Sequence, residues 1–476
     1  MLQLKALPMV CLVLVLAGCA IHHYHAEPIS PVESAARLKA RNLEDAQLRD
    51  FVQQNLGHEI SPWPRESWDL NLLSLAAFYF NPDLDTARTR LAASQAGVLT
   101  AGARPNPDLR IAPGYETSPE SPWLFAFSFD FPIETAGKRG HRIEQARNLS
   151  DAARFDLAGT AWGVRSRVRM ALLDDLLAAR ELNLLENQQE VLTERTKLLA
   201  VRLQVGEIPR PELDAAQVEL SNIRLEVMRA RGHVPETQTV LAAAIGIPSS
   251  ALNGVRLSWP TMEQPPFDQR LSADTIERDA VLNRLDVRGT LAEYAAADAA
   301  LKLEIAKQYP DLRLGPGYDF DEGHHKFSLG VGLTLPLFNR NQGPIAEAEA
   351  RRKEAGARFL ATQAHVISDS ETALARYRGA LAELREADES LTKLQLAREQ
   401  MTRRAVEAGE ADQLDLNGVL FQAATSARAR LEALRRAQTA LGILEDALQK
   451  PLEPGTTIPP LPQNATRDVA QKEGTR

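Results

Sequence analysis

Two kinds of hydrophobic pattern run along this chain, and each occurs twice. From Phe327 to Phe338 the sequence reads FSLGVGLTLPLF, with apolar side chains at every odd position. That period of two predicts a strand with one apolar face. Residues 123–133 alternate in the same way, with Phe125, Phe127, Phe129 and Phe131 on one face and Ala126, Ser128 and Asp130 on the other. The second pattern has a period of seven. Met170, Leu177, Leu184, Val191, Leu198 and Val205 form one such row, and Ala373, Ala380, Ala387, Leu394, Met401 and Ala408 another. Sustained heptads predict coiled-coil packing, and the small Ala side chains imply close helix approach. No Pro falls between Pro132 and Pro209, or between Pro344 and Pro451.

The two patterns belong to a duplicated unit. Pro107-Asp108-Leu109-Arg110-Ile111-Ala112-Pro113-Gly114-Tyr115 matches Pro310-Asp311-Leu312-Arg313-Leu314-Gly315-Pro316-Gly317-Tyr318, a shift of 310 − 107 = 203 positions. Phe131-Pro132-Ile133 matches Leu335-Pro336-Leu337, Gly206-Glu207 matches Gly409-Glu410, and Leu213-Asp214 matches Leu414-Asp415. Such self-similarity signals a repeat architecture. Each copy predicts a short helix (about 84–103 and 285–308), then two strands (about 107–117 with 123–133, and 310–320 with 326–338). A very long helix follows, then a break at Gly206–Pro211 or Gly409–Asp412, then a second helix (about 212–246 and 412–448). A helix of about 65 residues is roughly 100 Å long. The short helix and the helix after the break, laid end to end, match most of that length. The Pro-rich regions near 247–284 and 451–476 read as a belt and a tail.

Four strands cannot close a barrel around a channel, and an open sheet exposing these Phe and Leu side chains invites aggregation. Either a partner covers the sheet or lipid does. Strands of about 10 residues with one apolar face are what an outer-membrane barrel needs. Closure then requires several chains, because lipid tolerates no unpaired edge. On this reading Phe125, Phe127, Phe129, Leu329, Val331 and Leu333 face lipid, and the alternate positions face a watery lumen. Pro113 and Pro316 strain it, since Pro removes a ladder donor and prefers edges or bulges.

Composition narrows the choice. The formal charge of −8 speaks against nucleic-acid binding, and no stretch after residue 20 has the roughly 18 apolar residues of a membrane helix. Residues 1–18 read as a signal peptide, with Lys5 before the apolar run Ala6 to Leu16. The run ends in Leu16-Ala17-Gly18-Cys19, which resembles a bacterial lipobox. That resemblance implies cleavage before Cys19, lipidation of its thiol and, with Ala20 following, sorting to the outer membrane. Only Cys11 and Cys19 occur, so the processed chain has no internal disulfide.

The duplicated strand–strand–long-helix–helix order, the Gly-Glu breaks followed by Leu-Asp, and the lipobox resemble the TolC family of outer-membrane efflux channels. The junction Phe131-Pro132-Ile133-Glu134-Thr135-Ala136-Gly137-Lys138-Arg139 resembles that of its cobalt–zinc–cadmium (CzcC-like) heavy-metal branch. The fold so implied is mainly α with membrane β: a long coiled-coil α-helical barrel, four strands per chain in a shared trimeric transmembrane β-barrel, and an internal two-fold repeat. The chain divides into a signal peptide (1–18), a lipid-anchored N-terminal segment (19–70), a first repeat (71–250), an equatorial linker (251–284), a second repeat (285–450) and a C-terminal tail (451–476). The implied partners are two further copies, a periplasmic adaptor, an inner-membrane RND-type pump and outer-membrane lipid. No cofactor is implied. By the same resemblance Asp412 and Asp415, with Asp214 as a weaker counterpart, ring a periplasmic gate. Gly206, Glu207, Leu213, Gly409, Glu410 and Leu414 contact the adaptor. The plain alternative is that Asp at a helix start caps free N–H groups.

His22, His23, His25, His324 and His325 cluster as metal ligands can, although a tether and a loop tip accept any polar residue. No phosphate loop, His-Glu-x-x-His or nucleophile elbow occurs, so no enzyme is expected. The reading is a passive efflux duct. Drug efflux and polypeptide secretion by the same fold stay open, as does a coiled-coil envelope scaffold that transports nothing.

Overall fold

The computed structural model describes residues 23–117, 123–266, 272–321 and 323–453, apart from the Ser390 side chain. Residues 1–18, Cys19, His22 and the tail beyond 453 lie outside the described residues. Residues up to Arg41 and residues from Asn42 onward form separate units. In the first, α1 (Pro31–Lys39) starts where the Ser30 hydroxyl accepts from Glu33 N, with Pro at its first turn; none of its residues is buried.

The second unit carries the duplicated pattern. In chain order it contains α2 (Ala46–Leu56), β1 (Ser67–Trp68), α3 (Leu70–Phe80), α4 (Pro82–Gly102), β2 (Asp108–Tyr115), β3 (Trp123–Ile133), α5 (Lys138–Gln204) and α6 (Arg210–Ile245). It continues through β4 (Arg256–Leu257), α7 (Ala273–Asn283), α8 (Leu285–Ala306), β5 (Leu312–Asp321), β6 (His324–Leu333), α9 (Gln342–Glu386), α10 (Lys393–Glu407) and α11 (Gln413–Leu448). With 67 residues, α5 is about 100 Å long. Both α4 and α6 pack along it, as does α8. The second copy repeats the plan, with α8 on α9 and α11 on α9 and α10.

The heptad rows differ from the sequence expectation in an instructive way. Along α5 the fully buried row is Ala171, Ala178, Leu185, Leu192 and Leu199. It lies one residue beyond the row that starts at Met170, whose last member, Val205, is exposed. A helix in a wall has neighbours on two sides, so its apolar stripe is wider than a two-helix seam. In the second copy Ala373 and Ala387 are buried, but Leu394 and Met401 are 69% and 63% exposed. Between them Ala387–Thr392 forms a π-helical turn, which inserts one residue into the α-helical ladder. Below the turn the half-buried positions are Gln395, Glu399, Thr402, Ala405 and Val406; Gln395 and Thr402 each lie one residue after the heptad positions Leu394 and Met401.

The core sits where the repeats meet. Leu73, Leu75 and Ala76 of α3 pack with Val164, Val168 and Leu172 of α5, Leu241 and Ile245 of α6, and Leu434 and Ala437 of α11. Residues 247–266 strap across it: β4 pairs in parallel with β1, and Trp68, Trp259 and Met262 are buried. Within this core lies a buried ionic joint. Arg169 is 1% exposed; it donates to Gln438 O at 2.9 Å and to Gln438 Oε1 at 2.8 Å, and lies 3.4 Å from both Glu445 and Glu453. Glu453 in turn accepts from Trp259 Nε1 at 2.9 Å and Thr261 Oγ1 at 3.0 Å. Burial pulls the Arg169 pKa down, and Glu445 and Glu453 oppose that pull. One cation thus fastens the strap and the start of the tail to the helices of both repeats.

Gly442 makes room for it: a Cβ there would stand 2.6 Å from Arg169 Nη1. Gly442→Ala is expected to cost about 1–3 kcal/mol through overpacking, read as a lower thermal midpoint of the purified protein. An unchanged midpoint would mean that the Arg169 guanidinium does not occupy this position.

Candidate functional site

The four-stranded sheet has the order β2-β3-β5-β6, antiparallel throughout, so both β2 and β6 have a free edge within the chain. Its register sorts side chains cleanly. Leu109, Ile111 and Tyr115 oppose Phe129, Phe127 and Trp123. Phe127 opposes Tyr318, and Tyr318 opposes Phe327; Leu314 opposes Val331 and Leu312 opposes Leu333. One face is therefore apolar from edge to edge, except where His325 opposes Phe320 at the start of β6. Its rings contact one another, Phe127 with Tyr318 at 5.2 Å and Tyr318 with Phe327 at 5.3 Å. Phe125, Leu329, Val331 and Leu333 are 42%, 71%, 67% and 48% exposed, and Phe127 and Phe129 are half-buried among their neighbours. The other face carries Arg110, Ala126, Ser128, Asp130, Gly315, Gly317, Ser328 and Gly330, with Arg313 donating to Asp130 at 3.2 Å.

Three strand details depart from the sequence reading. Pairing of β6 ends at Leu333, so the alternating residues to Phe338 are not strand. Pro113 lies on the edge strand β2. Pro316 lies in the interior strand β5, where the ladder to β3 skips Gly315 and Pro316 opposite Phe129 and Asp130. The missing donor coincides with missing pairs, the place where a strand accepts Pro.

Below the sheet, the junction motif is a mechanical joint. Ala136 and Gly137 take left-handed φ of 53° and 71°, turning the chain from β3 into α5. Thr135 N donates to Asp311 Oδ1 at 2.9 Å and Thr135 Oγ1 to Pro310 O at 2.7 Å. Lys138 Nζ donates to Tyr309 O and to Asp311, each at 2.6 Å. Arg139 reaches Gly102 O at 2.7 Å. Arg142 reaches Ala101 O at 2.8 Å and Ala103 O at 3.0 Å while paired with both oxygens of Glu134. The cations satisfy carbonyls left open at the ends of α4 and α8. Residues that read as a pointer to substrate class therefore fix how helices hang from the sheet.

At the far end are the two hairpin tips. Gly206 and Gly409 have φ of 81° and 74°, the left-handed geometry that ends a helix. Leu199, Leu213 and Ala216 form a small buried cluster with Leu414 packed against it. Gly206, Glu207, Gly409 and Glu410 are exposed, whereas Leu213 is only 6% exposed and Leu414 half-buried. These two Leu residues hold the tips together instead of presenting a surface.

Asp412 is the N-cap of α11, accepting from Leu414 N at 2.6 Å and Asp415 N at 2.9 Å, while Asp415 accepts from Asp412 N at 3.1 Å. This capping box accounts for both residues locally. Asp412 has one contact more: Arg202 of α5 donates to it at 2.5 Å and also lies 3.8 Å from Glu207. The sequence reading missed Arg202, whose only signal is a cation one turn before the Gly-Glu break. Asp214 pairs instead with Arg210 on its own helix at 2.8 Å. Among the described residues no group of three His, Cys, Asp or Glu is arranged to hold a metal; His325 Nδ1 lies 2.7 Å from the Tyr318 hydroxyl.

An apolar-faced sheet with open edges, carried on long helical hairpins, defines a membrane channel subunit completed by other subunits. The outer membrane efflux protein family model matches residues 77–247 and 278–448, and the chain belongs to that family. It is 27% identical over 319 residues to the cobalt-zinc-cadmium resistance protein CzcC of Cupriavidus metallidurans, covering 66% of this chain and 74% of that protein. It is 23% identical over 471 residues to nodulation protein T of Rhizobium leguminosarum bv. viciae, covering 92% and 89%. Among solved structures, VceC of Vibrio cholerae superposes with a TM-score of 0.64 at 20% identity over 81% of this chain and 97% of that one. CusC superposes with 0.64 at 16% over 90% and 99%.

The Arg202 hydrogen bond, then the backbone N–H of Asp415, hold the Asp412 carboxyl below the usual carboxylate range. A depressed folded pKa stabilises fully above about pH 4 and loses that stabilisation as pH falls through the folded value. Between pH 5 and 8 the tip contact is therefore constant. Asp412→Ala is expected to cost about 0.5–2 kcal/mol at the tip. Hydrogen exchange should then speed up at Leu414 and Asp415 but not at Leu434. Unchanged exchange at the tip would contradict the capping account.

Proposed function

We propose that this efflux channel subunit is a lipid-anchored, trimeric duct that carries heavy-metal cations out through the outer membrane, fed by a periplasmic adaptor and an inner-membrane RND-type pump. The observation that carries the duct is the sheet: one face apolar from β2 to β6, the other polar or small, and two edges that only another chain can pair. A strand such as β3, with 11 residues, rises about 28 Å when tilted by roughly 40°, close to the apolar band of about 25 Å that a barrel presents. Phe125, Phe127, Phe129, Leu329, Val331 and Leu333 then face lipid, and Arg313 and Asp130 face the lumen.

The metal cargo is supported by the likeness to CzcC; selection of the cargo is left to the pump. In a ring of three, each Asp412–Asp415 pair faces two others and favours cations over anions. The Arg202–Asp412 contact holds the two hairpins of one chain together, and its release would let the tips part. The exposed Gly206, Glu207, Gly409 and Glu410 are the surface offered to the adaptor. Cys19, once lipidated, would tether the N-terminal segment to the membrane.

The test is growth of a deletion strain, with and without the restored gene, on Zn, Co, Cd, Ni, Cu and Ag salts alongside dyes and antibiotics. Sensitivity confined to metals, reversed by the gene, is the expected result. Sensitivity confined to organic compounds would overturn the metal cargo and leave the duct. Restoration should survive replacement of His324 and His325 by Ala if the chain itself selects nothing.

A further inference from the structure

The two copies of the unit leave the membrane differently. In the first, Ile133 stays paired with Leu312, and Glu134 folds back onto Arg142 at 2.6 Å. In the second, β6 ends at Leu333, and Leu335-Pro336-Leu337-Phe338 follows as an unpaired turn. The alignment that places Phe131 on Leu335 places Glu134 on Phe338, a charged and tucked residue against an apolar one. Leu335 and Leu337 are 62% and 69% exposed, and Phe338 is 100% exposed.

This turn is built, and it is held at both ends. Leu337 N donates to Leu335 O at 2.9 Å, closing a tight bend around Pro336. Asn341, in the left-handed conformation with φ of 64°, donates through its side-chain amide to Glu304 O at 2.8 Å and to Glu304 Oε2 at 2.9 Å. Its own N–H donates to Asn339 Oδ1 at 2.8 Å. The apolar bend is thus fixed between the last rung of the sheet and the end of α8. Tyr309, 60% exposed, lies at the same end, three residues before the Leu312–Leu333 pair.

We propose that Leu335, Leu337 and Phe338 form a membrane-interface anchor, seated among the headgroups and upper acyl chains of the periplasmic leaflet. The proposal rests on the reading that the apolar sheet face meets lipid. What selects lipid over other occupants is continuity. The exposed row Phe327, Leu329, Val331 and Leu333 runs without a polar interruption on its face into Leu335. The anchor begins where the paired strand ends, which is the level at which the hydrocarbon gives way to headgroups. Interfacial aromatic side chains mark that level in membrane barrels. Arg340 follows at once, exposed, with no hydrogen bond or ion pair from its guanidinium among the described residues. A cation there is placed for lipid phosphate, its stem lying along the apolar turn. Burying three such side chains would fix the height of the duct in the membrane at the point where α9 leaves it.

The test places a nitroxide at Phe338→Cys, and separately at Leu329→Cys, in the full-length protein reconstituted in phospholipid vesicles. Signal from the unsubstituted protein is subtracted. Relaxation by oxygen, which concentrates in lipid, is compared with relaxation by a water-soluble nickel chelate. Both labels should relax more with oxygen than with nickel, with Phe338 nearer the headgroups than Leu329. A Phe338 label relaxed mainly by nickel would place the turn in water and overturn the anchor. One relaxed by neither would mean that a neighbouring copy covers it, which overturns the anchor too. A Leu329 label relaxed mainly by nickel would sink the lipid-facing reading of the sheet, and the anchor with it.

Discussion

Everything in this chain follows from an unpaired sheet edge that must not meet lipid. A strand edge in hydrocarbon leaves N–H and C=O groups without partners, at several kcal/mol each. The chain has two such edges, β2 and β6, on a sheet whose apolar face is continuous. By itself the sheet is a liability; joined edge to edge with copies of itself it has no edge left. The alternation of Phe, Leu and Val with Gly, Ser and Ala is the sequence-level form of this constraint. Pro316 sits at the gap in the β3–β5 ladder and still pairs with Leu329 on β6. The joint below transmits the constraint to the helices, because Lys138, Arg139 and Arg142 fix their ends to the sheet.

The two copies share a plan and differ in how they are held. The first has an uninterrupted α5, with α4 and α6 along it. The second has a π-helical turn that shifts the facing row by one residue, leaving Leu394 and Met401 outward. Arg430 bonds to Asp388 in that turn at 2.5 Å and to Glu263 of the strap at 2.9 Å. Higher up, the Arg169 joint binds both copies and the strap through a fully desolvated cation. Removing one partner from such a cluster typically costs 3–5 kcal/mol. The hairpins thus meet along their length: at the apolar core and its buried ionic joint, at ion pairs such as Arg435–Glu181 and Arg428–Glu226, and at the tips through the small Leu199–Leu213–Leu414 cluster with Arg202–Asp412.

Much of this was legible in the sequence because the signals were periodic and came twice. The shift of 203 residues aligned the strand pairs and the Gly-Glu breaks, and strict alternation fixed which side chains share a face. The misses have physical causes. The heptad row along α5 was placed one residue early, since a helix with neighbours on two sides offers two adjacent apolar rows. The π-turn has no sequence mark, as it differs from α-helix by one hydrogen-bond step. Alternation continues through Thr334 to Leu337, but the strand stops where its in-chain partner does, so pattern alone overran it. Asp412 read as a gate or a cap; its partner Arg202 was invisible because 210 residues separate the two. The junction motif shows in the sequence only as a likeness, because its carbonyl contacts join Lys138 to Tyr309 and Arg142 to Ala101, 171 and 41 positions apart.

The claim beneath all of this is that β6 of one chain pairs with β2 of the next and that three chains close the ring. Cysteine cross-linking in the native outer membrane tests it most directly. Ala112→Cys on β2 would be combined in turn with Cys at Lys326, Ser328, Gly330 or Gly332 on β6, since a disulfide needs Cα atoms within roughly 7 Å. The account predicts that at least one pair yields covalent dimers and trimers on a non-reducing gel, and nothing larger. Monomers from every pair, or a ladder extending past three chains, would contradict it.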